Sequence, residues 1–115
     1  MAMDSEPTKP MPNNHHNVDI SAQKHLRRCI LLALYAQFRE VPYAEIELRQ
    51  LEQDCQTDTR TLNWNMVYLE KSGLVELGRS IENPPYVASS ASLTAVGIDV
   101  IEDDADFNKR FPEMT

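Results

Sequence analysis

Residues 51–75, LEQDCQTDTRTLNWNMVYLEKSGLV, constrain the fold more than any other part of the chain. Apolar residues recur there at helical spacing on both sides of a short polar break, and Gly73 follows where a helix end favours positive φ. The apolar positions are Leu48, Leu51 and Cys55 before the break, and Leu62, Met66 and Leu69 after it. The pattern therefore predicts a helix, a tight turn and a second helix that bury one side each.

Length and charge limit what such a chain can do. With 115 residues, 42% of them hydrophobic, it can build one domain around one core. The formal net charge is −7, of which −5 falls in residues 82–115. Because phosphate contacts need local Lys and Arg, this charge argues against a general nucleic-acid binder. The sequence shows no signal-peptide or membrane-span pattern, so we expect a cytoplasmic protein.

Few side chains suggest a metal site or catalysis. Cys29 and Cys55 occupy apolar positions of predicted helices, so we expect free thiols that pack as small hydrophobes rather than a disulfide framework. His15 and His16 form a pair with few further ligands nearby, and we expect no metal and no cofactor. The chain has no Gly-rich phosphate loop, GxSxG, HExxH or CxxC motif. We therefore do not expect an enzyme.

The N-terminal third divides into an arm and a long helix. Residues 1–18 contain three prolines and no apolar period, which predicts a disordered arm. A first helix is expected from Asp19 or Ser21 to about Arg39. Its run 29–36 is entirely apolar or aromatic. Such a helix is buried either by its own neighbours or partly by a second subunit, and both alternatives stay open.

The remaining elements follow from caps and changes of period. The second helix is expected from Tyr43 or Ala44 to Cys55, and the third, around residues 57–72, is capped by Thr57, Asp58 or Thr59. Strands are expected over 74–79 and 86–93, with a proline-closed tip between them. A last helix, 95–103, is capped by Thr94 or Ser92, and its apolar residues are Val96, Ile98, Val100 and Ile101. Residues 105–115 are expected to form an acidic, loosely held tail that Phe107 and Phe111 could dock.

This order resembles the winged helix-turn-helix superfamily of bacterial and phage regulators. The likeness is carried by residues 57–75, TDTRTLNWNMVYLEKSGLV, and by residues 93–102, LTAVGIDVIE. It implies an α+β, mostly α fold: a winged helix-turn-helix with three helices, a two-stranded wing and a C-terminal helix, over residues 19–104. The resemblance indicates the fold more specifically than the function, because repressors, activators, replication proteins and scaffolding domains share this fold.

The resemblance also implies a set of DNA-binding residues. The third helix would enter the major groove and the wing, around residues 79–86, would touch the backbone. Arg60 would take a bidentate role toward guanine and Asn63 toward adenine. The whole implied set is Thr59, Arg60, Thr61, Asn63, Trp64, Lys71 and Arg79, with Lys24, Arg27 or Arg28 as further phosphate contacts.

Three residues depart from the pattern of a DNA-reading helix. Trp64 is bulky where regulators commonly carry a polar or basic residue, and Val67 and Tyr68 follow it. Trp is the side chain most enriched at protein-interaction hot spots. Trp64 and Tyr68 either pack as core, beneath the wing or against the second helix, or face a protein, or contact DNA. The wing is also short of charge, because Arg79 is offset by Glu82.

Two functions are consistent with these patterns. One is a DNA-binding transcriptional regulator that binds double-stranded DNA as a homodimer. Its first and last helices would form the dimer interface. The other is a protein-interaction module, a phage or mobile-element factor, whose acidic surface could mimic nucleic acid toward a basic partner. The two are discriminated by the exposure of Trp64, and by whether positive charge runs continuously from Arg60, Lys71 and Arg79 to the first helix.

Overall fold

The computed structural model describes residues 12–81 and 87–113, in which the chain forms five helices and a three-stranded sheet. The elements are α1 (Pro12–Glu40), β1 (Ile46–Glu47), α2 (Leu48–Cys55), α3 (Thr59–Lys71), β2 (Val75–Gly78), β3 (Ser90–Leu93), α4 (Ala95–Glu102) and α5 (Asp104–Arg110). This confirms the predicted α+β, mostly helical class, with β1 and α5 added to the predicted elements. No helix in this part of the chain is long and apolar enough to cross a membrane.

The central helix, α1, begins earlier than the sequence predicted. It starts at Pro12, whereas a start at Asp19 or Ser21 was expected. Proline suits the first turn of a helix because its missing N–H would have no intrahelical partner there. Residues 12–18 of the expected disordered arm are therefore helical, and residues 1–11 lie outside the described part of the chain.

The apolar run of α1 is mostly buried by its own neighbours. α1 contacts α2, α3, β3 and α4, so most of its sides are covered. Its fully or nearly buried side chains are Leu26, Ile30, Leu31 and Leu34. Leu32, in the same run, stays 41% exposed. A helix wrapped by its own domain accounts for most of the run, and Leu32 is the large apolar side chain that this wrapping leaves exposed.

A tight turn joins α2 to α3, as predicted. Gln56 ends α2 in the left-handed region with φ of 53°. Asp58 then caps α3, its side chain accepting a 2.7 Å hydrogen bond from the Thr61 backbone N–H. After α3, Gly73 adopts the predicted positive φ, 81°. The predicted inward-facing residues Leu51, Leu62, Met66 and Leu69 are fully buried.

Cys29 of α1 and Cys55 of α2 form a disulfide, with their Cα atoms 5.9 Å apart. The expectation of two free thiols was wrong. A separation of 26 residues gives no local signal of pairing. The two residues meet only because α1 packs against α2, at a Cα separation ordinary for disulfides.

The sheet is antiparallel, with β3 between β1 and β2. Val75 lies opposite Leu93, and Ile46 lies opposite Ala91. β1 occupies residues expected to begin the second helix, so α2 starts at Leu48 instead of Tyr43 or Ala44. The expected second strand of the hairpin is shortened to β3, and residues 82–86, at the expected tip, lie outside the described residues.

The predicted cap of the last helix is confirmed. The Thr94 side chain accepts a 3.0 Å hydrogen bond from the Gly97 N–H. Ile98, Val100 and Ile101 are buried as expected, whereas Val96 is 55% exposed and does not belong to the core. α4 thus packs along one side only, and Val96 lies on the other.

The expected loose tail contains α5 instead. Phe107 and Phe111 are buried in the common core, so the tail is docked. The Asp103 side chain caps α5 by accepting a 3.1 Å hydrogen bond from the Asp106 N–H. Asp104 and Asp106 lie in the first turn of α5, and negative charge is stabilising at a helix N-terminus.

Candidate binding face on α3

The outer side of α3 carries four exposed side chains in one line: Arg60, Trp64, Tyr68 and Lys71. Their spacing of four, four and three residues places each about one turn beyond the last. We call this set the α3 face. The opposite side of α3 enters the core, so the helix is fixed in the domain while its outer side remains available.

Both aromatic residues of the α3 face are open to solvent. Trp64 is 67% exposed and Tyr68 is 44% exposed. The alternative in which they pack beneath the hairpin as core is therefore wrong. Aromatic side chains that lie next to each other on the outer side of a helix form a candidate binding surface.

A cation lies beside each aromatic ring. The Arg27 guanidinium, from α1, is 3.9 Å from the centroid of Tyr68, and that of Arg60 is 5.9 Å from the centroid of Trp64. Both distances allow a cation–π attraction. Burial lowers the pKa of Arg27, and its electrostatic interaction with Tyr68 opposes that shift. The cation beside Tyr68 therefore belongs to α1, whereas the cation beside Trp64 belongs to α3 itself.

Asn65 connects the α3 face to α1. It is buried, and its Oδ1 accepts a 2.7 Å hydrogen bond from Arg27 Nε. Its Nδ2 donates to Gln23 and, at 2.9 Å, to the Thr61 backbone oxygen. Sequence reasoning missed Asn65, because a polar residue next to an exposed Trp is ordinarily placed on the outer side of a helix. Its role depends on α1, which no local pattern of α3 reveals.

Asn63, which was expected to face adenine, does not lie on the α3 face. It is 9% exposed, and its Oδ1 accepts a 2.9 Å hydrogen bond from the buried Ala88 N–H. A side chain that reads a base must be open to the groove. Asn63 instead joins α3 to the chain that leads into β3.

The two threonines of the predicted site, Thr59 and Thr61, form hydrogen bonds with acidic side chains at the start of α3. Thr59 is exposed, and its hydroxyl donates a 2.7 Å hydrogen bond to Glu52 Oε2. Thr61 is half-buried and donates to Asp58 from both its N–H and its hydroxyl. These two hydrogen bonds, the backbone one first, lower the pKa of Asp58 from its ordinary value of 3.8. Two carboxylates, Glu52 and Asp58, therefore lie at the end of α3 that was expected to approach DNA.

Arg79 is paired within the domain. Its guanidinium donates to both carboxylate oxygens of Glu70 at 3.2 and 3.3 Å, and this pairing raises the pKa of Arg79. Glu82, which was expected to offset this charge, lies outside the described residues. The expected role of Arg79 as a phosphate contact is weakened, because its charge is offset by Glu70.

The two arginines of α1, Arg27 and Arg28, lie differently with respect to the α3 face. Arg28 donates 2.7 and 2.8 Å hydrogen bonds to the Phe111 backbone oxygen and to Asn108, so it holds the C-terminal segment. Arg27 is turned to Asn65 and Tyr68. Arg28 Nη2 also lies 3.9 Å from Glu113 Oε2, so of the two arginines Arg27 is the one that borders the α3 face.

The α3 face presents two aromatic rings and two exposed cations. These groups are suited to binding another molecule rather than to catalysing a reaction. Among the side chains that the structure describes, those of residues 20–81 and 87–113, no group of three or more His, Cys, Asp or Glu is placed to hold a metal ion. No protein-family model matches the sequence, and no curated protein matches it either. The function must therefore be inferred from the face itself.

Proposed function

We propose that the protein is a binding module, built on a winged-helix frame, whose α3 face binds a protein partner. The single observation that carries this proposal is the 67% exposure of Trp64 beside the 44% exposure of Tyr68. Trp, Tyr and Arg are the residues most enriched at protein-interaction hot spots, and this face contains all three. The order of helices, turn and hairpin supports the winged-helix frame.

The surroundings of Tyr68 favour tight binding. Its ring is supported by Arg27, which is itself held by buried Asn65. A side chain already held in one position loses little conformational entropy when a partner covers it. Covering Trp64 as well would remove a large apolar ring from water, so the two rings together form the expected centre of the interface.

The charges near α3 favour protein over DNA as the partner. Asn63 is buried and Arg79 is paired with Glu70, so two residues expected to contact DNA are engaged within the domain. Asp58 and Glu52 lie at the N-terminal end of α3, where phosphates would approach and like charges would repel. The net charge of −7 adds a general repulsion.

The test is partner capture with a matched pair of variants. Trp64→Ala removes the centre of the proposed interface, whereas Val96→Ala removes an exposed apolar side chain on α4. Proteins recovered from source-cell extract by the wild-type chain are compared with those recovered by each variant. A recovered partner is then purified and its Kd measured.

Trp64→Ala is expected to weaken binding about 30-fold, which corresponds to a hot-spot loss of about 2 kcal/mol. Val96→Ala should bind as the wild type does, and both variants should unfold at the wild-type temperature. The proposal is abandoned if the purified partner binds both variants equally, or if the chain binds a DNA sequence selectively at physiological salt.

A DNA-binding transcriptional regulator acting as a homodimer is the second candidate. It is favoured by Arg60 and Lys71, which are exposed on a helix that follows a capped turn. One such unit makes few phosphate contacts, so two copies would be needed. Leu32 on α1 and Val96 on α4 are exposed apolar side chains on the helices expected to pair.

This candidate is tested by selection from a random duplex library, followed by a gel shift of the selected sequence. If it is correct, Arg60→Ala abolishes the selective shift, while Asp104→Ala, at an exposed position of α5 away from the helices expected to pair, does not. Light scattering should give twice the mass of the chain. Because Asn63 is buried, Asn63→Ala is not an informative DNA-contact variant.

A further inference from the structure

The Cys29–Cys55 disulfide lies next to the turn that leads into α3. Cys55 is the last residue of α2, and α3 begins four residues later at Thr59. Cys29 lies in the middle of α1. The bond therefore attaches one end of the α2–α3 turn covalently to the central helix.

α1 holds the same region at a second place, without a covalent bond. Gln23 and Arg27 both hydrogen-bond to Asn65 on α3. These residues precede Cys29 on α1 by six and two positions. The start of the α3 face is thus held from both sides, by a disulfide before α3 and by a buried amide within it. Of these two links, only the disulfide can be opened by a chemical step that leaves the hydrogen bonds in place.

The disulfide is accessible from solvent. Both cysteines are half-buried and both line an open cavity of about 350 Å³ between α1 and the α2–α3 turn. Gln23, Thr57 and Thr61 form other parts of its wall. A small thiol can therefore approach the sulfur atoms without unfolding of the domain.

We propose that Cys29 and Cys55 form a reversible thiol–disulfide site, with a dithiol reductant as its substrate class, and that its oxidation state sets how firmly the start of α3 is held. A thiolate of the reductant attacks one sulfur, the protein S–S bond breaks, and a mixed disulfide forms. The second thiolate of the reductant then displaces the protein sulfur. Both cysteines end as thiols that carry the two protons of the dithiol, and the reductant ends as its disulfide.

Reduction should loosen the N-terminal end of α3 and leave its C-terminal end in place. Residues 56–62 lose their covalent attachment to α1, whereas Asn65 keeps its hydrogen bonds. The amides of Thr61 and Leu62, which donate to Asp58, should therefore exchange with solvent faster. Arg60, at this end of the α3 face, becomes less well positioned, while Lys71 at the far end does not.

The test places the full chain in a series of buffers with rising ratios of reduced to oxidised dithiothreitol. Mass spectrometry after alkylation counts free thiols, and hydrogen exchange follows residues 56–62. We expect both cysteines to become reactive together, exchange over 56–62 to rise about tenfold or more, and the Tm to fall by about 10 °C or more. Amides of β3, which open only when the whole domain unfolds, should accelerate no more than the fall in the free energy of unfolding requires.

The double variant C29S/C55S is the control, and it should exchange rapidly over 56–62 whatever the buffer. If that variant does not fold, the wild-type series still decides. The proposal is overturned if the cysteines alkylate fully in the oxidised buffer, if they resist reduction while the chain is folded, or if reduction leaves exchange over 56–62 unchanged. None of these readouts needs a partner, so they are independent of the proposed protein binding.

Discussion

The Arg27 guanidinium lies 3.9 Å from the centroid of the Tyr68 ring, while its Nε donates a 2.7 Å hydrogen bond to Asn65 Oδ1. One side chain of α1 therefore supports an exposed ring of α3 and satisfies a buried amide of the same helix. The shape of the α3 face is determined by the contact between two helices, not by α3 alone.

Replacing Arg27 by Ala should destabilise the domain. Asn65 is 1% exposed, so its Oδ1 would lose the Arg27 donor in a place where water has little access. We expect the free energy of unfolding to fall by about 1–3 kcal/mol, measured by urea denaturation. Arg39→Ala, at an exposed position of α1, should change it by less than about 0.5 kcal/mol. Equal effects of the two substitutions would show that the contact with Asn65 contributes nothing.

Asn63→Ala should act on stability rather than on recognition. Ala88 is fully buried, and the substitution removes the oxygen that accepts from its N–H. The expected loss in the free energy of unfolding is about 1–3 kcal/mol. Hydrogen exchange at the Ala88 amide should accelerate more than exchange within α4. An unchanged Ala88 amide would mean that this hydrogen bond does not hold the hairpin to α3.

Gly97→Ala should destabilise the domain because α4 approaches the backbone after α3 too closely for a methyl group. A Cβ at Gly97 would overlap the Leu74 carbonyl oxygen, and backbone cannot move aside as a side-chain end can. We expect a loss of about 2 kcal/mol by thermal or urea denaturation. Gly73→Ala is the comparison: nothing lies within 4 Å of its Cβ position, so only the strain of φ 81° applies, about 1 kcal/mol. A reversed order of these effects would contradict the close approach of α4.

The cap of α3 should make stability depend on acid. Hydrogen bonds from Thr61 hold the pKa of Asp58 below its ordinary value of 3.8, so the folded state favours the charged carboxylate. Its contribution to stability is present above pH 3.8 and is lost as the pH falls through the lower folded-state pKa. Asp58→Ala should therefore lower the Tm at neutral pH, and the difference from the wild type should shrink in strong acid. A gap that stays constant down to the lowest pH would disprove the carboxylate's role; Asp99→Ala, on the exposed side of α4, is the control.

Features set by neighbouring residues could be predicted from the sequence. The caps Asp58 and Thr94, the positive φ of Gly73, and the buried side of α3 all depend on interactions within a few residues. The turn between α2 and α3 follows from the same local rules. The order of these elements was therefore predictable, as was the exposed position of Arg60.

Features that depend on distant parts of the chain could not be predicted. Cys29 meets Cys55 only when α1 packs on α2, and Asn63 is buried only because the chain before β3 passes beside it. β1 exists because its two residues pair with β3. α5 follows from the burial of two phenylalanines. The burial of Asn63 could not be predicted for this reason, since helical spacing alone does not show which side a hairpin will cover.

The long central helix has a consequence for how the protein unfolds. α1 contacts α2, α3, β3 and α4, and its Arg28 binds the segment that follows α5. Three helices and the central strand of the sheet complete their burial against this one helix, so the rest of the domain would lose a large part of the common core without it. Unfolding should therefore be a single cooperative transition, and a fragment that lacks α1 should not fold.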